Sequence, residues 1–154
     1  MRMRLIWIGK TKNEQMRALV DEYLGRLAHF VRCEVTELRE GGGTDGRACL
    51  EDEGKRITEA LRSSSVTVLL DEQGEQWSSH ELAAEIGRWQ MLAAKEVAFV
   101  VGGHFGLMPE LKNRAGVLRW SLSRLTLTHE MARVVLVEQL YRAYTIMRGL
   151  PYQK

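Results

Sequence analysis

The sequence predicts an α/β fold built on a mostly parallel β-sheet with helices on both faces. Strand patterns and amphipathic helical patterns alternate along the chain. Two strand patterns, at residues 66–70 and 97–101, are apolar at nearly every position, which is typical of parallel strands covered on both faces. The length of 154 residues, with 45% hydrophobic and 27% charged residues, fits one globular domain over residues 1–154.

The first elements are a strand at residues 3–8 and an amphipathic helix. The helix is predicted by apolar residues that recur at helical spacing: Met16, Leu19, Val20, Tyr23, Leu24, Leu27 and Val31. A second strand is expected near residues 33–38, followed by three consecutive glycines at 41–43. These glycines lack the Lys-Ser/Thr ending of a phosphate loop and the spacing of a dinucleotide fingerprint, so we interpret them as a flexible connector.

The middle of the chain continues the alternation. A weaker helix is predicted over residues 47–62, and the strand at 66–70 is expected to end at Asp71. Ser78 or Ser79 can cap the next helix, with Glu81 completing a capping box after Ser78. Its expected buried stripe is Leu82, Ile86, Trp89 and Ala93. The strand at 97–101 follows, and a third such strand, around 117–122, leads to the final helix.

Three loops follow strongly apolar strands, at residues 70–74, 102–106 and 121–128. Ligands of open parallel sheets bind at the carboxyl ends of the strands, where these loops meet. Glycines in the first two loops let the backbone approach a ligand, and the third offers hydroxyl groups without permanent charge. This favours a nucleoside-like small molecule over a metal ion, because His104 and His129 lack companions at metal-ligand spacing.

The last 36 residues differ from the rest in charge. Residues 119–154 contain six basic and two acidic side chains, a net charge of +4, whereas the first 118 residues carry −2. Such a segment suits a phosphate or polyanion partner, or is a solvated face. The final helix is apolar around most of its circumference apart from Glu138, Arg142 and Thr145. It must be covered on more than one side, by its own sheet and by a partner.

Other classes are excluded. The apolar run at the start of the chain is too short for a signal peptide and no stretch could span a membrane, so a cytoplasmic protein is expected. The two cysteines, Cys33 and Cys49, form no CxxC motif and have no nearby histidine pair. Neither a disulfide framework nor a zinc site is therefore predicted.

Four segments carry a family resemblance over essentially the full length. They read IGKTKNEQMRALVDEYLGRL, LLDEQGEQWSS, FVVGGHFGL and LSRLTLTHEMARVVLVEQLYRAYTIMRGLPY. With them the chain resembles the ribosomal RNA large subunit methyltransferase H family of the SPOUT class. Members of that family transfer a methyl group from S-adenosylmethionine to N3 of a pseudouridine in bacterial 23S ribosomal RNA.

The resemblance implies a site and an assembly. S-adenosylmethionine would lie in a deep C-terminal trefoil knot, a topology that reasoning from patterns alone would discard, and would be held largely by main-chain groups. The implied cofactor residues are Leu70, Gly103, Leu122, Ser123, Arg124, Leu125, Thr126 and Leu127. The implied assembly is a homodimer whose final helices pack together, which would supply the second cover of the final helix.

The chain departs from the family pattern at its end. The family usually has histidine after the tyrosine, whereas this chain ends Tyr152-Gln153-Lys154, and glutamine does not titrate near neutrality. The N3 proton must then go to His129, to Tyr152 as a phenolate, to Glu138 or to water. We favour no strong protein base, with Arg133, Arg142 and Lys154 stabilising the anionic base.

Each candidate has a structural alternative. The side chain of His129 either points into the site formed by the three loops, together with that of Arg133 one helical turn later, or caps the final helix. Glu138 and Arg142 are spaced as a helix-face ion pair. His104 fits an ordinary turn. The aromatic rings of Trp77 and Trp120 fit a core or an interface better than a base-stacking platform.

The function has an alternative as well. The chain could be an RNA- or ribosome-binding protein that has kept the fold and lost the chemistry, an alternative that Gln153 makes slightly less remote. A generic nucleotide-binding domain is disfavoured because no glycine-rich phosphate motif is intact. The assembled ribosome is the expected substrate, since a small chain with a net charge of +2 has little surface for reading RNA sequence.

Overall fold

The computed structural model describes residues 1–43 and 45–153, with only the main chain for Gln153. Strands and helices alternate along these residues as the sequence predicts. They are β1 (Arg2–Ile8), α1 (Glu14–Leu27), β2 (Cys33–Leu38), α2 (Gly46–Ala60), β3 (Val66–Gln76), α3 (Ser79–Met91), β4 (Glu96–Val101), α4 (Pro109–Lys112), β5 (Val117–Ser121) and α5 (His129–Met147), followed by a 3₁₀ turn at Pro151–Gln153.

The strands form one sheet in the order β2-β1-β4-β3-β5, and every neighbouring pair is parallel. Strand β4 lies in the centre and is buried at all of its positions. One hydrophobic cluster packs α1, α3 and α5 against one face of the sheet, and a second packs α2 and α4 against the other. The predicted α/β fold with a parallel sheet covered on both faces is confirmed.

Strand β3 is longer than the sequence predicts. The expectation that it ends at Asp71 is wrong, because the chain leaves the ladder after Leu70 and rejoins it at Glu75, with both residues opposite Trp120. Residues 71–74 therefore form a bulge at the carboxyl end of the sheet. A Cβ on Gly74 would lie 2.5 Å from the carbonyl of Arg119, so glycine is required for the bulge to close.

The capping box of α3 is confirmed, with the Ser78 side chain accepting from the Glu81 N–H and the Glu81 side chain accepting from the Ser78 N–H. The end of α3 differs from the prediction. The helix stops at Met91, so Ala93, which we expected in the buried stripe, is exposed and has a φ of 57°. The short helix α4 was not predicted, because four residues are too few to show a helical period.

Helix α5 is covered by its own chain more fully than the sequence predicts. It packs against the sheet and also against α1 and α3, so its flanks need no partner. Two apolar residues one turn apart remain outside this packing: Met131 is 39% exposed, and the half-buried Val135 belongs to neither core cluster. No helix in residues 1–43 and 45–153 is long and apolar enough to cross a membrane.

Candidate active site

The three loops that the sequence singles out meet around one cavity. Its volume is about 650 Å³, within the range of small-molecule sites. The bulge of β3, the turn after β4 and the loop between β5 and α5 line it. Seven of the eight predicted cofactor residues are in its wall: Leu70, Gly103, Leu122, Ser123, Leu125, Thr126 and Leu127. The eighth, Arg124, is exposed and does not line the cavity.

The hydroxyl groups of the β5–α5 loop are used to shape the loop itself. Ser121 Oγ donates to the Ser123 carbonyl at 2.8 Å, and Ser123 Oγ accepts from the Leu125 N–H at 3.0 Å. Thr126 Oγ1 donates to Glu72 Oε2 at 2.6 Å, which joins this loop to the β3 bulge. In the described part of the chain, the main-chain N–H groups of Thr126 and Leu127 have no protein partner. These N–H groups are therefore free to bind a ligand or water.

Asp71 is an ionised group in the cavity wall that was not among the residues predicted from the sequence. Burial by itself would raise the pKa of its carboxyl, but hydrogen bonds from the Arg119 side chain and the Gln73 N–H, with the nearby charge of Lys112, hold that pKa below its ordinary value. Arg119 lies 2.6 Å from Asp71, and Lys112 lies 3.8 Å away. The position directly after an apolar strand was the signal that could have identified it.

His129 also lines the cavity, at the first turn of α5. It does not cap the helix, because the Thr128 side chain fills that role by accepting from the Met131 N–H at 3.2 Å. Burial, with the nearby charge of Arg133, lowers the pKa of the His129 imidazole below its ordinary value. His129 is therefore neutral at pH 7 and able to take up a proton.

Arg133 does not line the cavity, against the expectation that it looks into the loop site beside His129. Its side chain is fully buried. It donates to Thr11 Oγ1 at 2.9 Å and to the carbonyl of Ile8, and its guanidinium carbon lies 5.0 Å from the centre of the Trp7 ring. These contacts tie α5 to the end of β1 beneath the site. A direct catalytic role for Arg133 stays a prediction.

Arg142 and Tyr152 meet at the other end of α5. Arg142 pairs with Glu138 at 2.7 Å, as the helix-face spacing predicts, and lies 4.8 Å from the centre of the Tyr152 ring. The Tyr152 hydroxyl lies 3.0 Å from Glu138 Oε1 and 3.3 Å from the Tyr23 hydroxyl. Burial and these hydrogen bonds raise the pKa of Tyr152, so its phenolate is disfavoured at neutral pH. Lys154, the remaining predicted catalytic residue, lies outside the described residues.

The two tryptophans considered as stacking platforms are core residues. Trp120 is 3% exposed, and its ring stacks on that of Trp77 with 5.4 Å between the centres. His104 lies in the turn that lines the cavity and packs edge-on against Phe105. Among the residues that the structure describes, no group of histidine, cysteine and acidic side chains could hold a metal ion.

Known proteins resemble this chain over essentially its whole length. A family model described as a predicted SPOUT methyltransferase matches residues 1–153. The chain belongs to the SPOUT methyltransferase family. This methyltransferase is similar to proteins named ribosomal RNA large subunit methyltransferase H: one from Geobacter metallireducens is 41% identical over 99% of this chain and 98% of its own length. Another, from Desulfotalea psychrophila, is 38% identical over the full length of both chains.

Solved structures share the fold of this SPOUT methyltransferase at low sequence identity. A probable methylase family protein from Haemophilus influenzae has a TM-score of 0.57 at 15% identity, covering 99% of this chain and 70% of that one. A putative methylase family protein from Neisseria gonorrhoeae has a TM-score of 0.53 at 14% identity, covering 91% of this chain and 81% of that one. They support the assignment of the fold.

Proposed function

We propose that this enzyme transfers a methyl group from S-adenosylmethionine to N3 of a pseudouridine in 23S ribosomal RNA on the assembled ribosome, in the cytoplasm. The observation that carries the proposal is the cavity at the carboxyl end of the sheet, in a chain whose relatives, at about 40% identity over the full length, are named ribosomal RNA large subunit methyltransferase H. The target atom and the ribosomal context rest on the resemblance.

The cavity residues suit S-adenosylmethionine. Leucine side chains offer apolar surface to an adenine ring, and the unpartnered N–H groups of Thr126 and Leu127 can bind its polar edge. The ionised Asp71, with its two cations beside it, adds a polar wall. We further propose that residues 1–154 form a single SPOUT domain and that the β5–α5 segment is threaded as a trefoil knot.

When bound, S-adenosylmethionine supplies an electrophilic methyl group. The protein must align the base and take the N3 proton as the N3–carbon bond forms and the methyl–sulfur bond breaks. His129 is the acceptor that best fits this task, because its imidazole is neutral and lines the cavity. Arg133 positions α5 and therefore His129 from beneath. This assignment replaces the sequence-based preference for a site without a strong base.

A second copy of the chain is needed to bring the C-terminal tail, residues 152–154, to the cavity. Arg142 follows His129 by thirteen residues of continuous helix, which places it about 20 Å away along α5. Within one chain, the Arg142–Tyr152 cluster and the cavity therefore stay apart. In a homodimer that pairs the α5 helices in opposite directions, the tail of one copy, with Arg142 and Lys154, would approach the cavity of the other and stabilise the anionic base.

The deciding experiment is mass spectrometry of 23S ribosomal RNA from cells that lack this gene. Loss of one methylated pseudouridine, restored by the gene on a plasmid, is the expected result. An unchanged set of methylated nucleotides would contradict the proposal. The alternative, a ribosome-binding protein without activity, predicts no S-adenosylmethionine binding in calorimetry.

A further inference from the structure

A second cavity, of about 460 Å³, borders the first. The two cavities share wall residues in the turn after β4 and at the start of α5, namely Gly103, His104, Phe105 and His129. The rest of the second wall comes from the end of β1, the glycine connector and α2, together with Lys12, Glu40, Asp45 and Glu130. A ligand in the second cavity would therefore lie beside a methyl donor in the first.

Glu53, on α2, contributes a buried carboxylate to this second cavity. Only 3% of the residue is exposed. Its Oε2 accepts from the Gly41 N–H at 2.9 Å and from the Cys49 thiol at 3.3 Å. Burial, with the neighbouring Glu53 charge, raises the pKa of Cys49, which keeps it a thiol that can donate.

The other oxygen of this carboxylate, Glu53 Oε1, is buried and accepts no hydrogen bond from any of the described residues. A buried carboxylate oxygen without a donor is costly, and native proteins rarely leave one in that state. A donor from beyond the described residues would complete the arrangement.

The Gly103 backbone lies directly beside this oxygen. A Cβ on Gly103 would lie 3.2 Å from Glu53 Oε1 and 3.1 Å from Ile8 Cγ2, both closer than an ordinary van der Waals contact. A side chain at position 103 would therefore crowd Oε1, and glycine leaves the oxygen free of that contact. Because Gly103 lines both cavities, a nitrogen bonded to Glu53 would be held next to the first cavity.

The charge of the second cavity selects the kind of ligand. Its wall includes four carboxylate side chains, Glu40, Asp45, Glu53 and Glu130, against one lysine, Lys12, which pairs with Glu40 at 3.5 Å. Such a wall repels phosphate and accepts N–H groups. A metal ion is disfavoured, since no set of described residues could ligate one. A nucleobase with N–H donors fits.

We propose that the second cavity receives the target base and that Glu53 Oε1 accepts the N1–H of pseudouridine. This inference rests on the proposed function and names the group that reads the substrate. Uridine has one ring N–H, at the reacting N3, whereas pseudouridine has a second at N1. Glu53 would thus distinguish pseudouridine from uridine while N3 faces the shared wall and His129.

The test is Glu53→Gln. In that variant the amide oxygen keeps the hydrogen bond from the Gly41 N–H. The amide NH₂ then takes the place of Oε1 and faces the N1–H of pseudouridine, so that two donors oppose each other. Methyl transfer is measured on large ribosomal subunits with pseudouridine at the target, from cells lacking this gene. It is measured also on subunits with uridine there, from cells that lack the pseudouridine synthase as well.

We expect Glu53→Gln to lower kcat/KM on the pseudouridine subunits at least about 10-fold, mainly through KM, and to leave the slower reaction on uridine subunits unchanged. Asp52→Asn is the matched control. It makes the same change one residue away, where Asp52 Oδ2 accepts from the Gly42 N–H at 3.0 Å and the residue does not line the cavity. Its preference for pseudouridine should equal that of the wild type.

Three results would overturn the inference: an unchanged Glu53→Gln variant, an equal fall on both substrates, or a wild-type enzyme that does not distinguish them. The first two would leave Glu53 as a structural residue. Melting temperature and S-adenosylmethionine affinity of Glu53→Gln should match those of Asp52→Asn, which separates recognition from misfolding. A wild-type enzyme inactive on both substrates would instead refute the proposed function, and the inference with it.

Discussion

Arg119 Nη2 lies 2.6 Å from Asp71 Oδ2, and this ion pair joins β5 to the bulge of β3 where the cavity opens. The Asp71 side chain is almost fully buried, whereas that of Arg119 is one-third exposed. The pair fixes the bulge against β5 from the side of the cavity. The shape of the proposed cofactor site therefore depends on the charge of Asp71, which directly follows the strand predicted at residues 66–70.

Asp71→Asn should lower the free energy of unfolding at pH 7 by about 2 kcal/mol, the scale of losing a charged hydrogen bond to a buried group. The folded state lowers the pKa of Asp71, so its stabilisation is complete above the unfolded pKa of about 3.9 and is lost as the pH falls through the folded value. Urea unfolding at pH 7 and at pH 3 should show the difference between variant and wild type shrinking in acid.

The exposed Asp21, on α1, provides the matched control. Asp21→Asn should change the unfolding free energy by less than about 0.5 kcal/mol at either pH. A difference for Asp71→Asn that is the same at pH 7 and pH 3 would mean that its charge is not the stabilising feature.

His129 should give the methyl transfer rate an acidic limb. Since the pKa of His129 is lowered in the folded protein, the neutral, proton-accepting form prevails at pH 7. The rate on ribosomes should rise with pH through a midpoint below about 6.5 and be level above it.

His129→Gln should lower kcat at least about 100-fold and remove this acidic limb of the pH profile. His80→Gln, at an exposed position of α3, should keep both the rate and the limb. A limb that survives in His129→Gln would assign the proton to another group.

The tail should be needed for transfer and not for cofactor binding. Deleting residues 152–154 should leave dimerisation and S-adenosylmethionine affinity near normal and reduce methyl transfer at least about 100-fold. Tyr152→Phe separates packing from chemistry, because the ring keeps its contact with Tyr141 while the bond to Glu138 is lost. Full activity of the truncated protein on ribosomes would show that the tail has no part in catalysis.

Gln153→His, which restores the residue usual in the family, should be active. A gain in its rate that titrates near the pKa of imidazole would show that Gln153 deprives this enzyme of a proton carrier. The measurement is the pH profile of methyl transfer, with the wild-type protein in the same buffers. A profile identical to that of the wild type would mean that position 153 carries no proton in the reaction.

The enzyme should be a dimer through α5. Light scattering after size exclusion should give twice the 17.6 kDa chain mass at micromolar concentration. Val135→Glu places a charge on the outward face of α5 and should yield a monomer that still binds S-adenosylmethionine but does not transfer methyl groups. The control is Met91→Glu, at a residue that is 88% exposed and lies outside this face of α5. That variant should remain a dimer. A wild-type monomer would contradict both the dimer and the shared site.

The sequence by itself determined the alternation of elements, the parallel sheet and the three loops that line the cavity. These follow from local patterns: the apolar run at 97–101 leaves no face for water, and Ser78 with Glu81 begins α3 through contacts three residues apart. Seven predicted cofactor residues line one cavity because the carboxyl ends of parallel strands meet at the same edge.

Only the tertiary structure decided what lies around that edge. Arg133 has the spacing of a site residue, yet packing over β1 buries it against Thr11, a residue 122 positions away in the chain. The bulge at residues 71–74 forms where Trp120 pairs with the residues on both sides of it, Leu70 and Glu75. The unpartnered oxygen of Glu53 depends on where α2 lies relative to Gly103. Such features arise from contacts between distant segments, and no periodicity or motif in the chain encodes them locally.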